Sequence, residues 1–254
     1  MDSLTTISAL ADNFIHLYRY DGDNALIVDP GDCQAVMNIL GIYKLTVTTI
    51  LLTHHHLDHT GGVARLKAVT KAKVIGSDGR RVPSIDRVVY GDDAIELGDR
   101  KIKVISTPGH TKTCVCYYLE PAGAQEPPIV WTGDTLFVAG CGRIFEATAE
   151  SMYESLMKLA QLPDETVVCC GHDYTVENYE FASSLEPDNK VLENLLEQAK
   201  HARKRLRAIS TMSQEKETNP FLRADSPQIR AALKMPKAKA IEIFTELRHR
   251  KDSF

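Results

Sequence analysis

Between Leu51 and Gly62 the sequence reads LLTHHHLDHTGG, which puts four histidines and an aspartate into six consecutive positions, His54 to His59. Imidazole and carboxylate are the donors that borderline divalent cations such as zinc, iron and manganese accept. An H-x-H pair in extended backbone projects both rings to one side, because side chains repeat every two residues along a strand. His54 and His56 can therefore share a centre. Asp58 and His59 follow at a chain turn and can reach a second centre nearby, whereas a helical pair would use i, i+4 spacing. His55 then faces away from its neighbours, which fits a structural or supporting role better than ligation. Gly61 and Gly62 let the chain turn sharply and let another group approach.

Three later stretches repeat the theme. STPGHT carries His110, WTGDTLF carries Asp134 and CCGHDY carries His172, each just after a β-rich run and a glycine. Strand ends on one rim of a sheet are where α/β proteins gather functional groups. His54, His56, His59, His110, His172, Asp58 and Asp134 are too many for one tetrahedral site. They divide into two sites sharing a carboxylate, whose two oxygens can serve two cations. The competing readings are a coincidence of strand-end histidines or one closed structural zinc. His16, His201 and His249 lack this setting and read as ordinary core or surface residues.

The elements that must hold these groups follow from the pattern. NALIVDPG (24–31) reads as a buried strand ending in a turn, and 32–41 as a helix with Asp32 as N-cap and Gly41 as the stop. LTVTTILLT (45–53) is a β-branched strand leading into the histidines, and 60–70 looks helical. Residues 73–76, 93–98, 100–108, 113–120, 128–134 and 165–174 read as further strands, with a helix over 148–163 capped weakly by Thr148. Residues 188–210 read as one long amphipathic helix whose basic run from Arg203 to Arg207 is a solvated face. Residues 236–254 read as a helix with a polar tail. The expected organisation is an α/β domain over 1–174, whose halves around residue 90 share a strand-rich texture, followed by an all-helical region over 175–254.

The 254 residues are 43% apolar and 25% charged, ordinary for a globular protein. A net charge of -4 argues against nonspecific nucleic-acid binding. No signal peptide, transit peptide or membrane-length apolar run is visible, so no membrane partner is expected and the cytoplasm is the default compartment. The six cysteines lack CxxC spacing and read as reduced, buried thiols. Cys169 and Cys170 should point to opposite faces of their strand.

THHHLDHTGG, TPGHT, GDTLF and CGHDYT, in this order, resemble the metallo-β-lactamase superfamily, and FVAGCGRIFEATAE with the terminal LRHRKDSF is similar to segments of the glyoxalase II (hydroxyacylglutathione hydrolase) family within it. The resemblance covers nearly the whole chain. It implies an αββα sandwich with a binuclear centre, then a helical domain that binds glutathione. It assigns His54, His56 and His110 to the first metal, Asp58, His59 and His172 to the second, and Asp134 to a bridge. For glutathione it implies Arg143, Tyr174, Asn178, Arg248 and Lys251. Phe145 stands where some members carry Tyr, and Ala147 replaces a common glycine. Arg248 and Lys251 share a helix face by their i, i+3 spacing.

The implied chemistry is coherent. Two divalent ions ~3.5 Å apart deprotonate a shared water near neutral pH, and Asp58 and Asp134 are the carboxylates placed to ligate and orient. The thiolate leaving group of a glutathione thioester, with a thiol pKa of about 8.5, departs easily. Hydrolysis of S-(2-hydroxyacyl)glutathione, chiefly S-D-lactoylglutathione in methylglyoxal detoxification, is the expected activity. Cys141, between two glycines, is expected to lie beneath the site. A monomer is expected. The rival readings are a persulfide dioxygenase with one iron, another hydrolase such as a lactonase or β-lactamase, and a noncatalytic binder.

Overall fold

The computed structural model describes residues 3–123 and 126–254. Strands β1 (Leu4–Ala9), β2 (Asn13–Asp21), β3 (Asn24–Val28), β4 (Thr46–Leu52), β5 (Lys73–Gly76) and β6 (Arg87–Val88) form one sheet in sequence order. β7 (Ala94–Leu97), β8 (Arg100–Ser106), β9 (Val115–Leu119) and β10 (Ile129–Gly133) build the second. β11 (Leu136–Phe137) and β12 (Gly140–Cys141) make a short hairpin, and β13 (Val167–Cys170) and β14 (Ile209–Thr211) complete the second sheet in the order β14-β13-β10-β9-β8-β7. Each half of the first 174 residues thus contributes a sheet.

Alternation along the strands sorts side chains between two packing layers. Leu26 and Val28 of β3 join Leu51, Ile102, Tyr117, Leu119 and Trp131 in the layer between the sheets. Ala25 and Ile27 point the other way, onto α1 (Cys33–Tyr43) and α3 (Val63–Thr70) through residues such as Val36, Val63 and Leu66, with the single-turn α2 (Leu57–Thr60) just before α3. The outer face of the second sheet is covered by α4 (Ala149–Leu159) and by the last of the helices α5 (Thr175–Leu185), α6 (Lys190–His201), α7 (Met212–Thr218), α8 (Pro227–Ala232) and α9 (Ala240–Ser253), with Met152, Leu156, Ile243, Phe244 and Leu247 in one cluster. The result is the expected αββα sandwich with a helical C-terminal region. Among the described residues no helix is long and apolar enough to cross a membrane.

Two expectations change. Asp32 caps α1 as expected, but Gly41 does not end it: the helix runs to Tyr43 and stops where Lys44 turns left-handed at φ 54°. Gly41 is exposed with open space around it, so its weak helix propensity is tolerated. The single helix expected over 188–210 is α6, a 3₁₀ turn over Lys204–Ala208 and then β14. Ile209, Ser210 and Thr211 pair antiparallel with Cys169, Val168 and Val167, and this nonlocal pairing overrides the helical periodicity. The C-terminal region is therefore not purely helical, and a border at residue 174 cuts across the second sheet. Within the basic run, Arg203 and Lys204 are exposed, but Arg207 bonds Asp173 at 2.5 Å.

All six cysteines are buried and unpaired, and Cys169 and Cys170 enter different apolar clusters, as the strand alternation requires.

Candidate metal centre and substrate pocket

β4 delivers the histidine run at its C-terminal end, β10 delivers Asp134 and the parallel neighbour β13 delivers His172. His110 lies in the loop between β8 and β9. The ring nitrogens converge as two groups. His56 Nδ1 is 3.1 Å from His54 Nε2 and 3.0 Å from His110 Nε2. His59 Nε2 is 3.1 Å from His172 Nε2, and Asp58 Oδ2 is 3.4 and 3.3 Å from these two nitrogens. Asp134 lies between the groups, with carboxylate oxygens 3.4 Å from His110, 3.3 Å from His172, 3.3 Å from His59 and 4.0 Å from His54.

What fixes these rings is behind them. His110 Nδ1 donates to the Arg143 carbonyl at 2.9 Å, His59 Nδ1 to Asp29 Oδ2 at 3.0 Å and His172 Nδ1 to Asp12 Oδ1 at 3.0 Å. The Thr53 hydroxyl donates to Asp29 at 2.6 Å and so accepts from His54 Nδ1 at 3.0 Å. With Nδ1 protonated outward, each of these four rings turns an Nε2 lone pair inward, the tautomer a cation requires. Asn13 Nδ2 donates to Asp58 Oδ2 at 2.9 Å. Glycine is required nearby: a Cβ on Gly171 would stand 2.6 Å from Asp134 Oδ1, and one on Gly62 2.4 Å from the Pro30 carbonyl.

The residues fit a pair of cations. Asp134 Oδ1 is buried without a hydrogen bond, and lone pairs of neighbouring imidazoles face one another instead of donors. Burial works against charge on His59 and His172, yet the Asp134 carboxylate overrides it and raises both, His172 to about 10. Burial also opposes ionisation of Asp134, and the His59 and His172 rings hold it well below the usual carboxylate range. At His54 burial dominates and lowers the ring. A field that pulls positive charge between carboxylates and imidazoles is the field of a divalent-cation site.

The same groups open into a cavity of about 420 Å³. Arg143 reaches its rim, 3.6 Å from Asp252. Phe145 is 63% exposed, its ring 5.2 Å from that of His110. Tyr174 stacks parallel to His172 with ring centroids 5.0 Å apart, and Phe137 meets both edge-on. Asn178 is buried and donates to the Val138 carbonyl at 3.0 Å. From α9, Arg248 donates to the Cys141 carbonyl at 2.8 Å and Lys251 to Glu177 at 2.5 Å, both cations being buried. Cys141 lines the cavity, and burial pushes its thiol up, against a nucleophilic role.

Eleven of the thirteen donor and binding residues expected from the sequence line one cavity, and His54 and His59 lie behind it, against His56 and His172. His55 turns away, to Arg81 at 2.8 Å and Glu146 at 3.6 Å. His16 is buried in the core against the Cys170 carbonyl, and His201 and His249 are exposed. Sequence reasoning missed Asp12, Asn13, Asp29 and Thr53. Asp29 had a signal: VDPG is a carboxylate just after a buried strand, the criterion that found Asp134, but it reads as a turn. Asp12 sits in the β1–β2 turn and Asn13 opens β2, positions where Asp and Asn are unremarkable.

Two facing sheets with split His/Asp donors at their strand ends define a metallo-β-lactamase-type hydrolase, and the family model described as the metallo-beta-lactamase superfamily matches residues 12–172. A second model, hydroxyacylglutathione hydrolase C-terminus, matches 173–254. The chain is 43% identical over 236 residues to a hydroxyacylglutathione hydrolase of Chromohalobacter salexigens, covering 92% of this chain and 91% of the relative. It is 42% identical over 250 residues to one of Maricaulis maris, covering 96% of each. The crystal structure of ETHE1 from Myxococcus xanthus is similar with a TM-score of 0.68 at 26% identity, over 97% of this chain and 89% of that one. The chain belongs to the hydroxyacylglutathione hydrolase family.

Proposed function

We propose that this protein hydrolyses S-(2-hydroxyacyl)glutathione thioesters, chiefly S-D-lactoylglutathione, to a 2-hydroxy acid and glutathione, and so serves methylglyoxal detoxification. The observation that carries this reading is the meeting, in one cavity, of the His/Asp donors with Arg143, Arg248 and Lys251.

In this reading His54, His56 and His110 would hold one divalent ion, Asp58, His59 and His172 would hold the other, and Asp134 would serve both. The ions would be zinc, with iron and manganese accepted by the same donors. When bound they acidify a water and polarise a carbonyl. Asp58, restrained by Asn13, orients the attacking water. Arg143, Arg248 and Lys251 meet the carboxylates of the tripeptide, with Arg able to do so bidentately, and Tyr174, Asn178 and Phe145 line its path. This holds the thioester carbonyl at the metals, a proximity effect. The departing thiolate needs no proton donor, in keeping with a Cys141 thiol that burial keeps protonated. The catalytic part is then 1–174 and the glutathione-binding part 175–254. These residues gather within a single copy, so the site needs no second copy to be complete, and the proposed acting species is the monomer.

The test is elemental analysis of purified protein paired with S-D-lactoylglutathione hydrolysis, on the parent and on Asp134→Ala. The parent should carry two equivalents of metal and be active, and the variant should lose both. Full activity in the variant with normal metal content rules out the bridge. Oxygen consumption with glutathione persulfide and no thioester hydrolysis replaces the reading with a dioxygenase.

A further inference from the structure

The turn joining β11 to β12 separates two cavity-lining residues. Phe137 packs edge-on against His172 and Tyr174, and Cys141 offers its carbonyl to Arg248. At its centre Ala139 is fully buried with φ 54°, a conformation that a residue with a Cβ adopts only when its surroundings enforce it.

The enforcement comes from α7. Glu215 Oε2 accepts from the Ala139 amide at 2.9 Å and from Asn219 Nδ2 at 2.9 Å. The same Asn219 amide group reaches the carbonyls of Gly140 at 3.0 Å and Phe137 at 3.3 Å, while its oxygen accepts from Phe221 N at 3.0 Å. Both side chains are fully buried, and among the described residues no cation pairs with the Glu215 carboxyl. A buried carboxyl without a counterion opposes folding, so this pair does not merely fill space. Its hydrogen bonds converge on a turn whose two ends line the cavity.

We infer that Glu215 and Asn219 are positioning residues for the hydrolase: they lock the Phe137–Gly140 turn and thereby place the Cys141 carbonyl under Arg248 and the Phe137 ring against Tyr174 on the glutathione side of the cavity. The inference rests on the function proposed above. It predicts a specific division of effects. Loosening the turn weakens glutathione recognition and leaves the metal donors, held from behind by Asp12, Asp29, Thr53 and the Arg143 carbonyl, in place.

Isostery supplies a control. Both accepted bonds fall on Oε2, while Oε1 is buried without a partner near the Ser210 hydroxyl. Glutamine can keep its oxygen at the Oε2 position and direct its NH₂ toward Ser210, so Glu215→Gln preserves the lock and Glu215→Ala removes it.

The experiment measures kcat and KM for S-D-lactoylglutathione, metal content, and glutathione affinity by calorimetry on the parent, Glu215→Ala, Glu215→Gln and Asn219→Ala. Glu215→Ala and Asn219→Ala should raise KM and the glutathione Kd together, by about fivefold or more, with full metal content; Glu215→Gln should match the parent. A purely structural role changes the folded fraction and leaves KM and Kd of the folded molecules alone. Unchanged KM in folded alanine variants, a Glu215→Gln protein as impaired as Glu215→Ala, or failure of both alanine variants to fold while Glu215→Gln is normal would each overturn the inference. If the parent binds glutathione but hydrolyses no thioester, the function proposed above fails, and the Kd comparison still decides the role of the pair.

Discussion

His110 donates from Nδ1 to the backbone carbonyl of Arg143 at 2.9 Å. A ring of the first donor group is thus oriented by the main chain of a residue whose side chain reaches the cavity rim, and metal and substrate sites share a strut. The strut is backbone, so the two functions of Arg143 separate on substitution.

Arg143→Ala should therefore keep its full metal content while KM for S-D-lactoylglutathione rises several-fold. Elemental analysis and steady-state kinetics check this. Metal loss in the variant would mean that the side chain, 63% exposed, supports the loop.

Asp29 tests support from behind. It accepts from the Thr53 amide, the Thr53 hydroxyl and His59 Nδ1. Its φ of 51° suits asparagine, so Asp29→Asn leaves the backbone unstrained. The amide must present its NH₂ to one of these donors or lose one bond, which should weaken metal binding by about 10- to 100-fold. Competition with a chelator measures this, and an unchanged metal affinity would assign the orientation of His59 to something else.

Phe145 lies over His56 and His110 with its ring exposed, so a hydroxyl added to it meets no protein atom that it must displace. Phe145→Tyr should lower KM by about two- to tenfold, the worth of one added hydrogen bond, with kcat unchanged. Equal KM values would show that the tripeptide does not pass over this ring.

Glu215 gives a pH dependence. Burial pushes its carboxyl up to about 7 from 4.5, against the nearby Ser210 hydroxyl and hydrogen bonds from Asn219 and the Ala139 amide. The facing titratable groups, Tyr179 and Cys170, are themselves pushed upward and stay neutral across this range. The folded state therefore holds a proton that the unfolded state releases, and stability falls as pH rises from about 4.5 to about 7, then levels. The loss is on the order of 3 kcal/mol. Thermal or denaturant unfolding should show Glu215→Gln gaining on the parent through that window and holding a constant advantage above it. A pH-independent difference would mean that Glu215 does not titrate there.

The seven donors were legible because each follows a buried strand and a turn, so local pattern and function coincide in THHHLDH, PGH, GD and GH. His55 was legible for the same reason inverted: strand alternation sends it away, toward Arg81 and Glu146. Asp29 was hidden because a carboxylate before Pro-Gly is a sufficient turn signal by itself. Asp12 and His172 lie 160 positions apart, and nothing local marks their contact. β14 was hidden because three residues cannot announce a strand, and their partners on β13 lie 40 to 44 positions back, from Cys169↔Ile209 to Val167↔Thr211. Long-range pairing decided that segment.

The crossing of Ile209–Thr211 onto β13 has a practical consequence for protein engineering. A fragment ending at residue 174 would leave β13 as a bare edge, a template for intermolecular strand addition. Chimeras that exchange recognition halves between relatives cannot be spliced at the border between the two matched models; the graft must carry its own closing strand or share that of the host.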